Sequence, residues 1–196
     1  MPISKENVTR GYGLLEKFLA KKRARIANKL IPFEYRNGKI LDIGCGQYPY
    51  FLLNTQFKEK FAIDKFQIQQ QERINFTRLN LENNSLPFKD NFFDVVTMLA
   101  VFEHLEQNNL LIILKEIKRV LKSTGKLIIT IPSPRTDKLL KIMSLLKLIS
   151  KDEIQEHKGY YTHLIISSYL KNAGFSNFKL GYFEFFLNSW VCAEKD

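Results

Sequence analysis

Cysteine is nearly absent. Cys45 and Cys192 are the two in 196 residues, too few for a disulfide framework and without the paired spacing of metal ligands. That scarcity points to a reducing, cytoplasmic setting. No run reaches the roughly 18 apolar residues of a membrane span. Met1 to Arg10 is polar where a secretory leader would be apolar. Interdomain linkers, internal repeats and low-complexity tracts are also missing, so residues 1–196 read as one domain. Acidic residues are outnumbered, 20 against 30 basic, leaving a formal charge of +10. Such an excess suits a polyanionic partner such as RNA, anionic lipid or a phosphorylated substrate. It also suits lysines spread along the chain for solubility, and this reading is preferred because no basic run is interleaved with stacking aromatics.

With 45% hydrophobic and 13% aromatic residues the chain can fill a core, and its pattern turns on one stretch. Lys39 to Tyr50 reads Lys-Ile-Leu-Asp-Ile-Gly-Cys-Gly-Gln-Tyr-Pro-Tyr: a strand, a tight turn, then a helix-like run from Tyr50 to Leu53. Gly44 and Gly46 permit backbone angles closed to other residues and let a ligand lie against the main chain. A nucleotide-type ligand fits, but not through its phosphates. The dinucleotide fingerprint needs a third glycine where Pro49 stands, and a P-loop needs a Gly-Lys-Ser/Thr ending. Asp42, just ahead of the glycines, suits a ligand with positive charge. The next strand, Lys60 to Ile63, ends in Asp64, placed either to accept from a ribose diol or to cap the strand end. Paired with Asp42 and the two glycines, the ribose reading prevails.

Asp42-Ile-Gly-Cys-Gly46 resembles the first motif of class I S-adenosylmethionine-dependent methyltransferases, Glu/Asp-x-Gly-x-Gly-x-Gly, and departs from it where Tyr48 replaces the third glycine. Four further stretches carry the likeness. Asn80-Leu-Glu-Asn-Asn-Ser-Leu-Pro-Phe88 is similar to Asp-x-x-x-Leu-Pro-Phe, with Asn80 in the acid's place. Phe93-Asp-Val-Val96 matches a strand signature in which Asp94 is structural. Glu103-His104 resembles a Glu-His pair of small-molecule enzymes, the type 11 kind. Arg119 to Pro132 follows an Arg-Val-Leu-Lys-Pro-Gly-Gly pattern. The resemblance spans roughly Lys39 to Pro132.

It implies an α/β fold, a Rossmann-like three-layer α/β/α sandwich on a mostly parallel seven-stranded sheet with one antiparallel strand near the edge. Residues 1–35 would form a helical lid, 36–132 the cofactor core and 133–196 the substrate side. S-adenosylmethionine is the implied cofactor. Asp42 would meet its methionine end, with Gly44, Cys45, Gly46 and Leu99 around it. Asp64 and Lys65 would hold the ribose. Asn80 and the backbone N–H of Leu81 would hold the adenine. His104 and His157 are candidate bases, since imidazole suits proton removal near neutral pH. Arg10, Tyr12, Tyr160 and Tyr161 are candidate substrate contacts. The expected acceptor is an oxygen or nitrogen of a small molecule, glycan or lipid precursor. Alternatives are an RNA methyltransferase, which would bind RNA salt-sensitively through the basic helix at Lys17 to Lys29, or a non-catalytic cofactor-binding or activator subunit.

Periodicity supplies the other elements. Glu16 to Leu30 reads as a helix with Leu14 or Leu15, Phe18, Leu19, Ile26 and Leu30 on its apolar face. Asn75 to Leu79 and Asn91 to Leu99 read as strands. A helix is expected from Asn109 to Lys122, stopped by Ser123-Thr-Gly125, before a strand from Lys126 to Ile131. Residues 137–150 are apolar almost all round, which fits a lid, a homodimer face, a membrane-surface contact or a core helix. A last helix ends at Ala173-Gly174-Phe175, and strands follow at Lys179 to Phe186 and Ser189 to Ala193.

Overall fold

The computed structural model of the chain describes residues 14–68, 71–83, 85–134, 159 and 161–196. Alternation of side chains is what assembles its sheet. In β1 (Lys39–Ile43) Leu41 and Ile43 enter one core and Ile40 the other. β4 (Phe93–Leu99) repeats this, with Val96 and Met98 against Val95, and β5 (Leu121–Pro132) does so with Leu127, Ile129 and Ile131 against Ile128. Such strands are buried on both faces, as parallel sheets require.

β2 (Glu59–Asp64), β3 (Asn75–Arg78), β6 (Asn177–Phe183) and β7 (Asn188–Glu194) complete seven strands in the order β3-β2-β1-β4-β5-β7-β6. β1 to β5 pair in parallel, while β7 runs antiparallel to both β5 and β6. The single reversed strand near the edge is the one expected.

Helices cover both faces. α3 (Gln107–Val120) and α4 (His163–Asn172) seal the first core through Leu110, Ile113, Leu114, Ile117, Ile166 and Leu170. α1 (Leu14–Leu30) and the single turn α2 (Tyr50–Leu53) seal the second through Ala24, Ala27, Phe51 and Leu52. At the entry end of the sheet Asp94 accepts from the Lys39 N–H at 2.7 Å and pairs with Lys122 at 2.8 Å, the structural role expected of it.

Three expectations need correction. The buried face of α1 is Ala20, Ala24, Ala27 and Ile31, whereas Phe18 is exposed and Leu19 and Ile26 are half-buried. Small residues let the helix axis approach the sheet more closely than leucine and phenylalanine would. The helix before β5 runs Gln107–Val120 and the strand begins at Leu121, opposite Phe93. Ser123-Thr-Gly125, read in the sequence as a helix stop, lies inside β5, in the register shift between the Leu121–Phe93 and Lys126–Val95 pairings. β6 ends at Phe183, because Glu184, Phe185 and Phe186 turn the chain with φ of 52°, 53° and 67°.

Candidate active site

The strand order reverses between β1 and β4, and a crevice opens outside their carboxyl ends, where open α/β sheets bind ligands. An open cleft lies there, lined by Ala20 and Arg23 of α1, Asp42 of β1, Gly44 and Cys45 after it, Tyr48, Tyr50 and Phe51 around α2, and Leu99 of β4.

The turn after β1 is built by its glycines. Gly44 and Gly46 have φ of +70° and +74°, the left-handed region that side chains resist. A Cβ on Gly44 would also stand 2.4 Å from Cγ2 of Val101. The Gly44 N–H donates to Ile63 O at 2.7 Å, and the Gly46 N–H donates to Oδ2 of Asp64 at 2.9 Å. The loop is thereby tied to the tip of β2. Asp64 is buried, and its Oδ1 accepts from the Phe66 N–H at 2.9 Å. Each carboxylate oxygen keeps a further lone pair for a diol.

Asp42 is 3% exposed and accepts from the Thr97 hydroxyl at 2.6 Å. Burial pushes its carboxyl up to about 7, opposed by the Thr97 hydrogen bond and reinforced by Asp64. A cationic ligand group would relieve that burial. Burial also pushes the Cys45 thiol up, so it is an inert wall rather than a nucleophile.

Beyond β3, the Leu79 N–H donates to Asp64 O at 2.9 Å, which carries Asn80 to the same edge. Asn80 is exposed, its Oδ1 accepting from the Glu82 N–H at 3.2 Å, and Leu81 opens the 3-10 turn Leu81–Asn83. Lys65 is exposed at the tip of β2. Another 3-10 turn, Phe102–His104, leaves β4; Glu103 in it is buried and His104 half-buried. Tyr161 is 2% exposed, its ring edge-on to Phe102 at 4.9 Å. Arg10, Tyr12, His157, Tyr160 and residues 137–150 lie outside the described residues.

The structure thus brings Asp42, Gly44, Cys45 and Leu99 to one wall, with Gly46 and Asp64 bonded beside it. Arg23 is the residue that sequence reasoning missed. Among the described residues lining the cleft it is the one cation, and its signal was the Ala20, Ala24, Ala27 spacing, which turns α1 so that Arg23 flanks the buried stripe.

These residues fit S-adenosylmethionine without its being present. Acids suit its ammonium and sulfonium, a guanidinium suits its carboxylate, and a close-approach glycine turn with Asp64 suits its nucleoside.

Residues 41–129 match the family model of a methyltransferase domain. An uncharacterized protein of Methanocaldococcus jannaschii is 33% identical over 102 residues, 52% of this chain and 43% of that protein, so the chain spans under half of that relative's length. A SAM-dependent methyltransferase from Archaeoglobus fulgidus superposes with a TM-score of 0.65 at 16% identity, over 92% of this chain and 94% of that one. A SAM-dependent methyltransferase from Thermotoga maritima, described as a possible histamine N-methyltransferase, does so with 0.69 at 19%, over 93% and 92%. A protein solved in complex with the Trm112 methyltransferase activator of Haloferax volcanii gives 0.65 at 14%, over 93% and 98%. Motif, strand order and neighbours agree: residues 41–129 match a methyltransferase domain, and the chain has the fold of those solved S-adenosylmethionine-dependent methyltransferases.

Proposed function

We propose that this protein is a methyltransferase that modifies an oxygen or nitrogen of a small-molecule, glycan or lipid-precursor acceptor. The observation that carries the reading is the juxtaposition, at the switch point of the sheet, of the left-handed glycine turn with two buried strand-end acids, Asp42 and Asp64.

When bound, the cofactor supplies an electrophilic methyl group on a sulfonium. The protein's share is to hold and align. Asp42 faces the ammonium and Arg23 the carboxylate of the methionine end. Asp64 takes the ribose diol, with Lys65 at its rim, and Asn80 with the Leu81 N–H takes the adenine. Asn80 can accept from an amino group as the family's acid does, with less charge. Alignment of this kind supplies about 7–11 kcal/mol of a barrier. Tyr161 and His104 stand on the acceptor side, beyond β4.

Calorimetric titration with S-adenosylmethionine and S-adenosylhomocysteine tests this reading, beside Asp64→Ala. Micromolar binding that weakens at least about tenfold in the variant, a loss of about 1.4 kcal/mol, is expected. Binding by neither ligand would leave the cleft a relic and return the protein to the activator-subunit reading. The charge of +10 is the observation on the side of an RNA acceptor; methyl loss from the cofactor in RNA-depleted extract separates the two.

A further inference from the structure

Glu103 stands in the turn that follows Leu99, itself a residue of the cleft lining, and is 1% exposed. Its Oε2 has no hydrogen-bond partner among the described residues, and neither has the buried hydroxyl of Tyr161. The two groups act on each other electrostatically, and Arg23 acts on the same carboxyl from α1. The carboxyl accepts from its own backbone N–H, but burying its other oxygen without a partner is costly. The fold therefore bears this acid for something outside itself.

We propose that Glu103 is the general base of the methyl transfer, with its Oε2 facing the transferred methyl and accepting the proton of a hydroxyl or amine acceptor. The acceptor's lone pair forms the new bond to the methyl carbon, the electron pair of the broken bond stays on sulfur, and the acceptor's proton passes to Glu103, which ends as a carboxylic acid. Tyr161 holds the acceptor against that carboxyl through its hydroxyl. The acceptor class follows: a nucleophile that carries a proton.

Burial raises the Glu103 carboxyl to about 7, with the hydrogen bond from its own backbone N–H and then Arg23 opposing, so it can take a proton near neutral pH. His104, the base expected from the sequence, already has a partner within the protein. The inference rests on the methyltransferase reading but not on knowing the acceptor.

The test uses sinefungin, in which an amine-bearing carbon replaces the methylated sulfur, so that a cationic N–H donor sits where the methyl would be. Affinities of sinefungin and S-adenosylhomocysteine are measured for the wild-type chain and Glu103→Gln. The expected result is a loss of about tenfold or more for sinefungin, with S-adenosylhomocysteine changed less than about threefold. Equal losses for both, or none for either, would falsify the assignment, since a purely structural acid does not distinguish the ligands. Should the variant fail to fold, proton release by the wild type decides: with Arg23 and Tyr161 facing Glu103, sinefungin should release more protons near pH 6 than S-adenosylhomocysteine, and equal release overturns the proposal. A wild type that binds neither compound removes the methyltransferase reading and the base with it.

Discussion

Arg23 offers a planar fork of N–H donors that matches a carboxylate in a way no other described residue lining the cleft can. Charge-assisted hydrogen bonds of this kind are worth about 1.5–3 kcal/mol. Arg23→Met should therefore weaken S-adenosylhomocysteine about tenfold to a hundredfold, yet leave 5′-methylthioadenosine, which lacks the amino-acid end, unchanged. Parallel losses for both ligands would show that Arg23 shapes the cleft and does not bind. Asp42, Gly44, Gly46 and Asp64 could be found in the sequence because their chemistry demands particular residue types at fixed spacing along the chain. Arg23 could not, since its meaning depends on which face α1 buries. Nor could the weight of Glu103 against His104 be read, because an unpartnered oxygen is a property of the packed turn.

Elements were legible where hydrophobic period and length agreed, as in β1, β2 and β4. They were misread where pairing overrode local signals: Leu121 enters β5 because the Phe92 N–H donates to Val120 O at 2.8 Å and Leu121 pairs with Phe93, whatever Ser123-Thr-Gly125 suggests. The segment from Leu86 to Asp90 has no regular ladder and is held to α3 by two side chains, Arg119 and Glu116. Arg119 donates to Leu86 O, Phe88 O and Asp90, and pairs with Glu116, whose Oε2 accepts from the Leu86 N–H at 3.0 Å. Arg119→Met leaves Phe88 O without that donor and Leu86 O with the Phe88 N–H alone, so unfolding in urea should show a loss of about 2 kcal/mol. Because that segment follows Asn80 and Leu81, the variant should also bind S-adenosylhomocysteine more weakly while 5′-methylthioadenosine falls with it, the reverse of the Arg23 pattern. A variant as stable as wild type would mean that Phe61, Phe88, Phe92 and Phe93, packed edge to face, hold the segment alone.

Over the whole molecule the site adds its own pH dependence to stability. Asp42 and Glu103 have ordinary values of 3.8 and 4.5, and burial is the main cause that raises each to about 7. Between those limits the folded chain keeps protons that the unfolded chain has released, so their contribution weakens as pH rises towards 7 and is steady beyond it. At about 1.4 kcal/mol per pH unit, each carboxyl costs about 2 kcal/mol between about pH 5.5 and 7. Around Asp42 stand Thr97, Asp64 and Cys45, and of these only Thr97 favours its ionised form. Urea midpoints of the ligand-free chain should fall over this range, and those of Asp42→Asn should fall by about 2 kcal/mol less. S-adenosylmethionine brings the missing positive charge to the ionised acid, so the rise in Tm that it causes should grow with pH in the wild type and be nearly flat in Asp42→Asn. Equal slopes in the two chains would mean that the cationic end of the cofactor is met by another group, and the role of the first acid of the glycine motif would then have to be reassigned.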